Sequence, residues 1–176
     1  TIDAPNTQDL DDALWVESTP DGWLLRVAIA DPTSLIEQNS PIEKELLLRA
    51  SSVYFPGQLV PMLPPKISSD LGSLCEGKRR LAKVIELKVT RNGELQDGRI
   101  LNAVVSVSKK LSYQNVALTL DGGVCDDDLS KQVHLLEEIS FALANWRANF
   151  ALVHPSRDDF YIELNDKQKI ASINAR

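Results

Sequence analysis

Two histidines, two cysteines and one methionine are all that this 176-residue chain holds of its softer metal ligands and redox-active side chains. With only His134 and His154 available, a histidine-rich metal site or a Ser-His-Asp triad has little to draw on. Cys75 and Cys125 lie far apart, which leaves a disulfide or two thiols open; thiols are the expectation for an intracellular enzyme. No apolar run approaches the length of a membrane span and no signal peptide is visible, so a soluble, cytoplasmic protein without a membrane partner is expected. Internal repeats, low-complexity tracts and a clear domain linker are absent too. Positive charge is also short, with 19 Lys and Arg against 25 Asp and Glu and a net charge of −6. The basic clusters are modest: Lys78-Arg79-Arg80 with Lys83, and Lys109-Lys110. Grip on a polyanion needs many such cations, so these residues alone are expected to hold one weakly, and both clusters also suit ordinary solvated surface. The composition, 43% hydrophobic and 25% charged, is enough for one domain with a core.

What the chain does have is acid, gathered at one place. Asp3, Asp9, Asp11 and Asp12 fall within the first 14 residues, and the first Lys or Arg to follow is Arg26. At an effective dielectric of ~20, two unpaired carboxylates about 4 Å apart repel by roughly 4 kcal/mol, so such a set protonates, splays into water or binds a cation. Asp9 and Asp11 face the same side of an extended chain, while Ala4-Pro5-Asn6-Thr7 supplies a turn that brings Asp3, at the end of a short strand, back toward the other three. An oxygen-only ligand set selects a hard ion, Mg²⁺ or Mn²⁺ ahead of Zn²⁺. A calcium loop of the EF-hand type is disfavoured, because Ala13-Leu14-Trp15-Val16 occupies the places of its required Gly and Glu. The plainer alternative is a solvated acidic loop. The apolar strand residues that flank the run, Ile2 and Ala13 to Val16, favour the cation site.

The periodicity reads as α+β, a mixed or antiparallel sheet with packed helices. Strands are predicted at 13–17 and 23–30, joined through Pro20-Asp21-Gly22. Ser40 caps a helix that starts at Pro41 and carries Ile42, Leu46 and Leu47 on one face. Residues 53–74 are rich in Pro and Ser and are expected to be irregular; Tyr54, in this stretch, is an unusual place for a core aromatic. Arg91-Asn92-Gly93-Glu94 joins strands at 80–90 and 95–108 as the strongest hairpin signal in the chain. A short helix is predicted over 112–120. A long amphipathic one follows to Ala151, capped by Asp128 or Ser130, with Leu135, Leu136, Ile139, Leu143, Trp146 and Phe150 on its inner stripe. A last hairpin pairs 160–164 with 169–173.

Thr1-Ile2-Asp3 followed by Asp9-Leu10-Asp11-Asp12-Ala13-Leu14 resembles the signature of the ribonuclease II (RNB) family of 3′-to-5′ exoribonucleases. Val27-Ala28-Ile29-Ala30-Asp31-Pro32-Thr33, Tyr54-Phe55-Pro56-Gly57, Pro61-Met62-Leu63-Pro64 and Ser69-Asp70-Leu71 with Ser73-Leu74 continue the match in order. Many members carry His where this chain has Ala28, outside the carboxylate set. The resemblance covers the N-terminal part of that family's single catalytic domain, over 1–176, without its C-terminal part or flanking RNA-binding barrels.

It implies hydrolysis of single-stranded RNA to nucleoside 5′-monophosphates by a two-metal mechanism. Asp3, Asp9, Asp11 and Asp12 would be the Mg²⁺ (or Mn²⁺) ligands, and Asp9 and Asp11 the catalytic pair. It also implies that Tyr54 stacks on a base near the 3′ end, opposite an aromatic whose place here is taken by His154. Tyr113 would help hold the terminal nucleotide, although it equally fits the buried side of a short helix. The family's transition-state arginine lies in a later Ser-Pro-Ile-Arg-Arg-Tyr type segment that is not among these residues. The remainder of the domain is therefore an expected partner, and little activity is expected of 1–176 alone. Two other readings stand beside this one: a non-catalytic RNA-binding or regulatory module of the same fold, and a metal-dependent phosphoesterase acting on small substrates. The intact acid set speaks against the first, the pair Tyr54 and His154 against the second.

Overall fold

A computed structural model describes residues 1–123, 126–150 and 160–175. The chain divides into two compact units, Thr1–Ile36 with Pro65–Phe150 and Glu37–Pro64 with Ala151–Arg176.

The first unit opens with a two-residue strand, β1 (Ile2–Asp3), and then the hairpin β2 (Asp12–Thr19) and β3 (Gly22–Ala30). The hairpin keeps unbroken register from Asp12 opposite Ile29 to Thr19 opposite Gly22. A 3₁₀ turn, Pro32–Leu35, starts at Asp31, whose side chain accepts the Ser34 amide.

The second unit takes over with α1 (Pro41–Arg49), where Ser40 Oγ accepts the Glu43 amide and Ala50 ends the helix in the left-handed region, at φ 61°. The cap is as the sequence indicated. The apolar face is not buried: Leu47 is 76% exposed and Ile42 40%. The stretch read as irregular contains a tight hairpin, β4 (Val53–Phe55) and β5 (Gln58–Val60), turning at Gly57 with φ 75°.

Back in the first unit, a single π-type turn (Ile67–Leu71) precedes the two longest strands, β6 (Arg79–Thr90) and β7 (Leu95–Ser106). The sheet order is β2-β3-β6-β7, antiparallel throughout. After β7 come β8 (Leu111–Ser112), α2 (Tyr113–Leu120) and α3 (Asp127–Phe150). The cap of α3 falls at Asp126, two residues before Asp128 and four before Ser130, because its carboxylate takes the amides of both Asp128 and Leu129. The second unit closes with the hairpin β9 (Phe160–Leu164) and β10 (Ile170–Ala175).

Two apolar clusters hold the first unit. Val16, Trp23, Leu25 and Val89 pack with Ile139 of α3, and Leu135, Leu136, Ala142 and Leu143 pack around them, which accounts for the helical stripe read from the sequence from Leu135 to Leu143; Trp146 is outside this cluster and the side chain of Phe150 outside the described residues. Gln132 fastens α3 to the outer edge of the sheet: its amide accepts from Val16 N at 3.2 Å and donates to Val16 O at 2.9 Å. The second cluster gathers Leu10, Ala28, Leu74, Ala82, Val84 and Val107. Leu10 is its link to the acidic run, since burying one leucine contributes roughly 1.5–3 kcal/mol and so anchors the loop on both sides of it.

Candidate functional site

The acidic run is a loop suspended between two strands. β1 pairs parallel with β8, Ile2 opposite Leu111 and Asp3 opposite Ser112. Ser112 is in turn the N-cap of α2, in a reciprocal capping box with Asn115, so Asp3 is held beside the residue from which Tyr113 starts the helix. The chain then bends as its Pro and Asn predict, the Thr7 amide donating to Ala4 O at 3.1 Å. Leu10 is only 3% exposed. With Leu10 turned inward, Asp9 and Asp11 project to the other side, as a period of two requires. Ala30 N donates to Asp11 O at 2.8 Å and Leu74 N to Leu10 O at 2.9 Å. Asp12 is the first residue of β2, opposite Ile29.

Two side chains remote in sequence grip this loop. The Ser73 hydroxyl, fully buried, accepts from Leu10 N at 3.0 Å and donates to Gln8 O at 2.8 Å, one bond on each side of Asp9. The Lys110 ammonium donates to Pro5 O at 3.0 Å and Thr7 O at 2.6 Å. The sequence sets Ser73 in a matching block and Lys110 in a basic pair, but nothing in it ties either side chain to this loop.

The four carboxylates feel one another. Burial, then the neighbouring charge of Asp12, raises Asp3 above the usual carboxyl range, against the pull of Lys110. Burial raises Asp11 as well, with Asp9, Asp12 and Asp3 adding to it in that order. Among the described residues, no three acidic, His or Cys side chains stand close enough to ligate one ion. The set is gathered on one loop without closing into a chelate. Its chemistry fits a hard divalent ion: four carboxylates, no thiolate, no imidazole.

Tyr113 is 54% exposed, which sets aside the reading of it as a core residue. Tyr54 lies in the second unit on β4, opposite Leu59, and is 67% exposed. His154 lies outside the described residues, as does Cys125; Cys75 is a free thiol.

The basic clusters are largely committed to ion pairs within the fold. Lys66 and Lys78 hold the Asp70 carboxyl at about 2, and Arg80 pairs with it as well. Lys83 pairs with Asp31, which the Thr33 and Ser34 hydroxyls also hold at about 2. Lys109 pairs with Glu76. Outside these clusters, Glu86 lies between Arg26 and Arg99, and Arg26 also stacks on Trp15, 4.7 Å from its ring centre. A cavity of about 390 Å³ walled by Trp15, Ala28, Val84 and Leu136, and a groove of about 1050 Å³ along α2 and α3, both lie off the acidic loop; none of the four aspartates lines either.

Comparison with known proteins places this arrangement. The family profile of the RNB domain matches residues 1–176. Exoribonuclease 2 of Edwardsiella piscicida is 38% identical over 181 residues, 99% of this chain and 28% of that protein. The chain thus spans under a third of the length of the curated relatives it matches. RNase R of Mycoplasma genitalium, solved in complex with ribose-methylated single-stranded RNA, superposes with a TM-score of 0.94 at 28% identity, over 100% of this chain and 28% of that one. The fold also extends to yeast Ssd1, a pseudonuclease, at a TM-score of 0.67 and 24% identity, over 79% of this chain and 17% of that one.

Proposed function

This chain belongs to the RNB domain family, and from that premise we propose that it supplies the acidic centre of a 3′-to-5′ exoribonuclease releasing nucleoside 5′-monophosphates from single-stranded RNA. One observation carries the reading. The fold is shared with a pseudonuclease and so does not decide between catalysis and mere binding; the acid set supports catalysis, because Asp3, Asp9, Asp11 and Asp12 are all present on one loop anchored by β1, Leu10 and β2.

Asp3, Asp9, Asp11 and Asp12 would hold Mg²⁺ or Mn²⁺. Such ions, when bound, would supply an activated water and stabilise the charge of the leaving 3′ oxygen. The protein's own contributions are positional. Asp3 and Asp12 sit at the ends of paired strands, and Asp9 and Asp11 sit on the loop between them. Tyr113, exposed at the start of α2, stands one residue past the partner of Asp3, where it contacts the terminal nucleotide. Tyr54 and His154 are assigned to stacking on bases, which tolerates any sequence because every base has a π-face. The 2′-hydroxyl gives the preference for RNA.

Asp11→Asn in the full-length protein tests the assignment. An amide keeps the shape of the carboxylate without its charge, so hydrolysis of 5′-labelled single-stranded RNA with Mg²⁺ should fall by on the order of 10²-fold or more while RNA affinity stays near wild type. Comparable turnover by the variant would refute the catalytic role. For the aromatic pair, Tyr54→Ala and His154→Ala should each weaken binding of a short oligonucleotide by about 1–3 kcal/mol at constant salt. Dissociation constants equal to wild type would remove that residue from the RNA path.

A further inference from the structure

Ser73 and Lys110 reach the acidic loop from 63 and 103 residues away and bond its backbone alone, at Gln8 and Leu10 and at Pro5 and Thr7. We propose that these two side chains are positioning residues for the metal ligands: together they fix the backbone on both sides of Asn6, within the Pro5 turn, and on both sides of Asp9, and so set how closely Asp9 and Asp11 approach Asp3 and Asp12. The inference rests on the metal reading above and adds the groups that determine its geometry.

Each grip is itself held. Ser73 sits at the end of the turn after Asp70: its amide donates to Asp70 O at 3.1 Å, and Arg80 Nε donates to both Asp70 O and Ser73 O, at 3.0 and 3.1 Å. The Arg80 guanidinium also pairs with the Asp70 carboxylate. Lys110 is tied at its backbone, where its amide donates to Glu76 Oε2 at 2.9 Å, and the next residue, Leu111, is paired to β1. The loop therefore hangs between two braced points, the 70–73 turn and the β8 strand. The four carboxylates repel one another, and a loop without those points relieves the repulsion by moving Asp9 and Asp11 outward. The two positions differ in kind. Ser73 satisfies a buried amide and a carbonyl of the loop, whereas Lys110 puts a cation at two carbonyls on the same turn, near Asp3.

The test uses Mn²⁺ alone, with its affinity for the full-length protein read from the loss of the free-ion paramagnetic signal, beside urea unfolding in chelator. Lys110→Met keeps the stem and removes the donors; Lys110→Arg restores two donors on a longer head. Lys110→Met should weaken Mn²⁺ binding by about 10-fold or more, with Lys110→Arg recovering most of it, as is usual for groups that orient ligands. The urea midpoint without metal should move little for either, since one of the two Lys110 bonds is exposed and the other only half-buried. Ser73→Ala should also weaken Mn²⁺ binding and should in addition expose the Leu10 amide to hydrogen exchange in metal-free protein. Wild-type affinity in both Lys110→Met and Ser73→Ala would overturn the inference and leave the metal reading standing. A loss in Lys110→Met that Lys110→Arg does not recover, or that follows a matching fall in the urea midpoint, would assign Lys110 to the fold and overturn its positioning role. Absence of Mn²⁺ binding by the wild type would overturn the metal reading and this inference with it.

Discussion

Asp11 is destabilising for the metal-free chain, and the sign follows from linkage. A carboxyl whose folded pKa is raised binds its proton more tightly when folded, so stability falls as pH climbs from the ordinary range near ~4 through the raised value. Burial and the charges of Asp9, Asp12 and Asp3 put Asp11 in that position. Asp11→Asn should therefore raise the metal-free melting temperature at pH 7 by about 1–2 °C, the gain expected from relieving a solvent-screened repulsion. The gain should shrink as pH falls and vanish below the ordinary carboxyl range, where folded and unfolded chains both carry the proton; a variant less stable than wild type at pH 7 without metal would show that the acids do not repel. Asp31 and Asp70, held at about 2, act in the opposite sense, contributing stability that is complete above ~4 and lost as pH falls toward 2. The residue types of the site were legible in the sequence because four acids without a base are costly, and cost is visible in composition. Ser73 and Lys110 were not, since what distinguishes them is a backbone partner 63 or 103 residues away.

Elements with local causes were the ones the sequence revealed. The Ser40 cap with Pro41, the Asn92-Gly93 turn and the apolar stripe of α3 each depend on neighbours within a few residues, and each is present. The β1–β8 pair escaped notice because it joins two-residue strands across the chain, with too little length for a period to show. Tyr54 was read as irregular chain for the same reason, β4 being three residues long. Gly93 has a second duty that no turn signal carries. It has φ 83°, and a Cβ there would stand 2.0 Å from Ala142 O on α3, so the β6–β7 turn and the long helix meet at a point that only glycine fits. Gly93→Ala should cost at least about 2 kcal/mol, beyond the strain of a positive φ, and lower the melting temperature by about 4–8 °C. An unchanged melting temperature would mean that the turn and α3 do not touch there.

For the molecule as a whole, the account is that a fold braces four repelling acids so that a divalent ion, and then an RNA end, completes them. Residues 1–176 span 28% of the length of their curated relatives, so strong hydrolysis is expected only of the full-length protein. The four acids and the two side chains that brace their loop all lie within residues 1–176, so the chain itself should bind the ion. Thermal unfolding of the chain with and without millimolar Mn²⁺, beside Asp3→Asn combined with Asp12→Asn, measures this most directly. An ion that binds only the folded state at a hundredfold excess over its Kd adds about 2.7 kcal/mol, or about 5–10 °C for a chain of this size. The account predicts that rise in wild type and none in the double variant; equal stabilisation of both, or of neither, would contradict it.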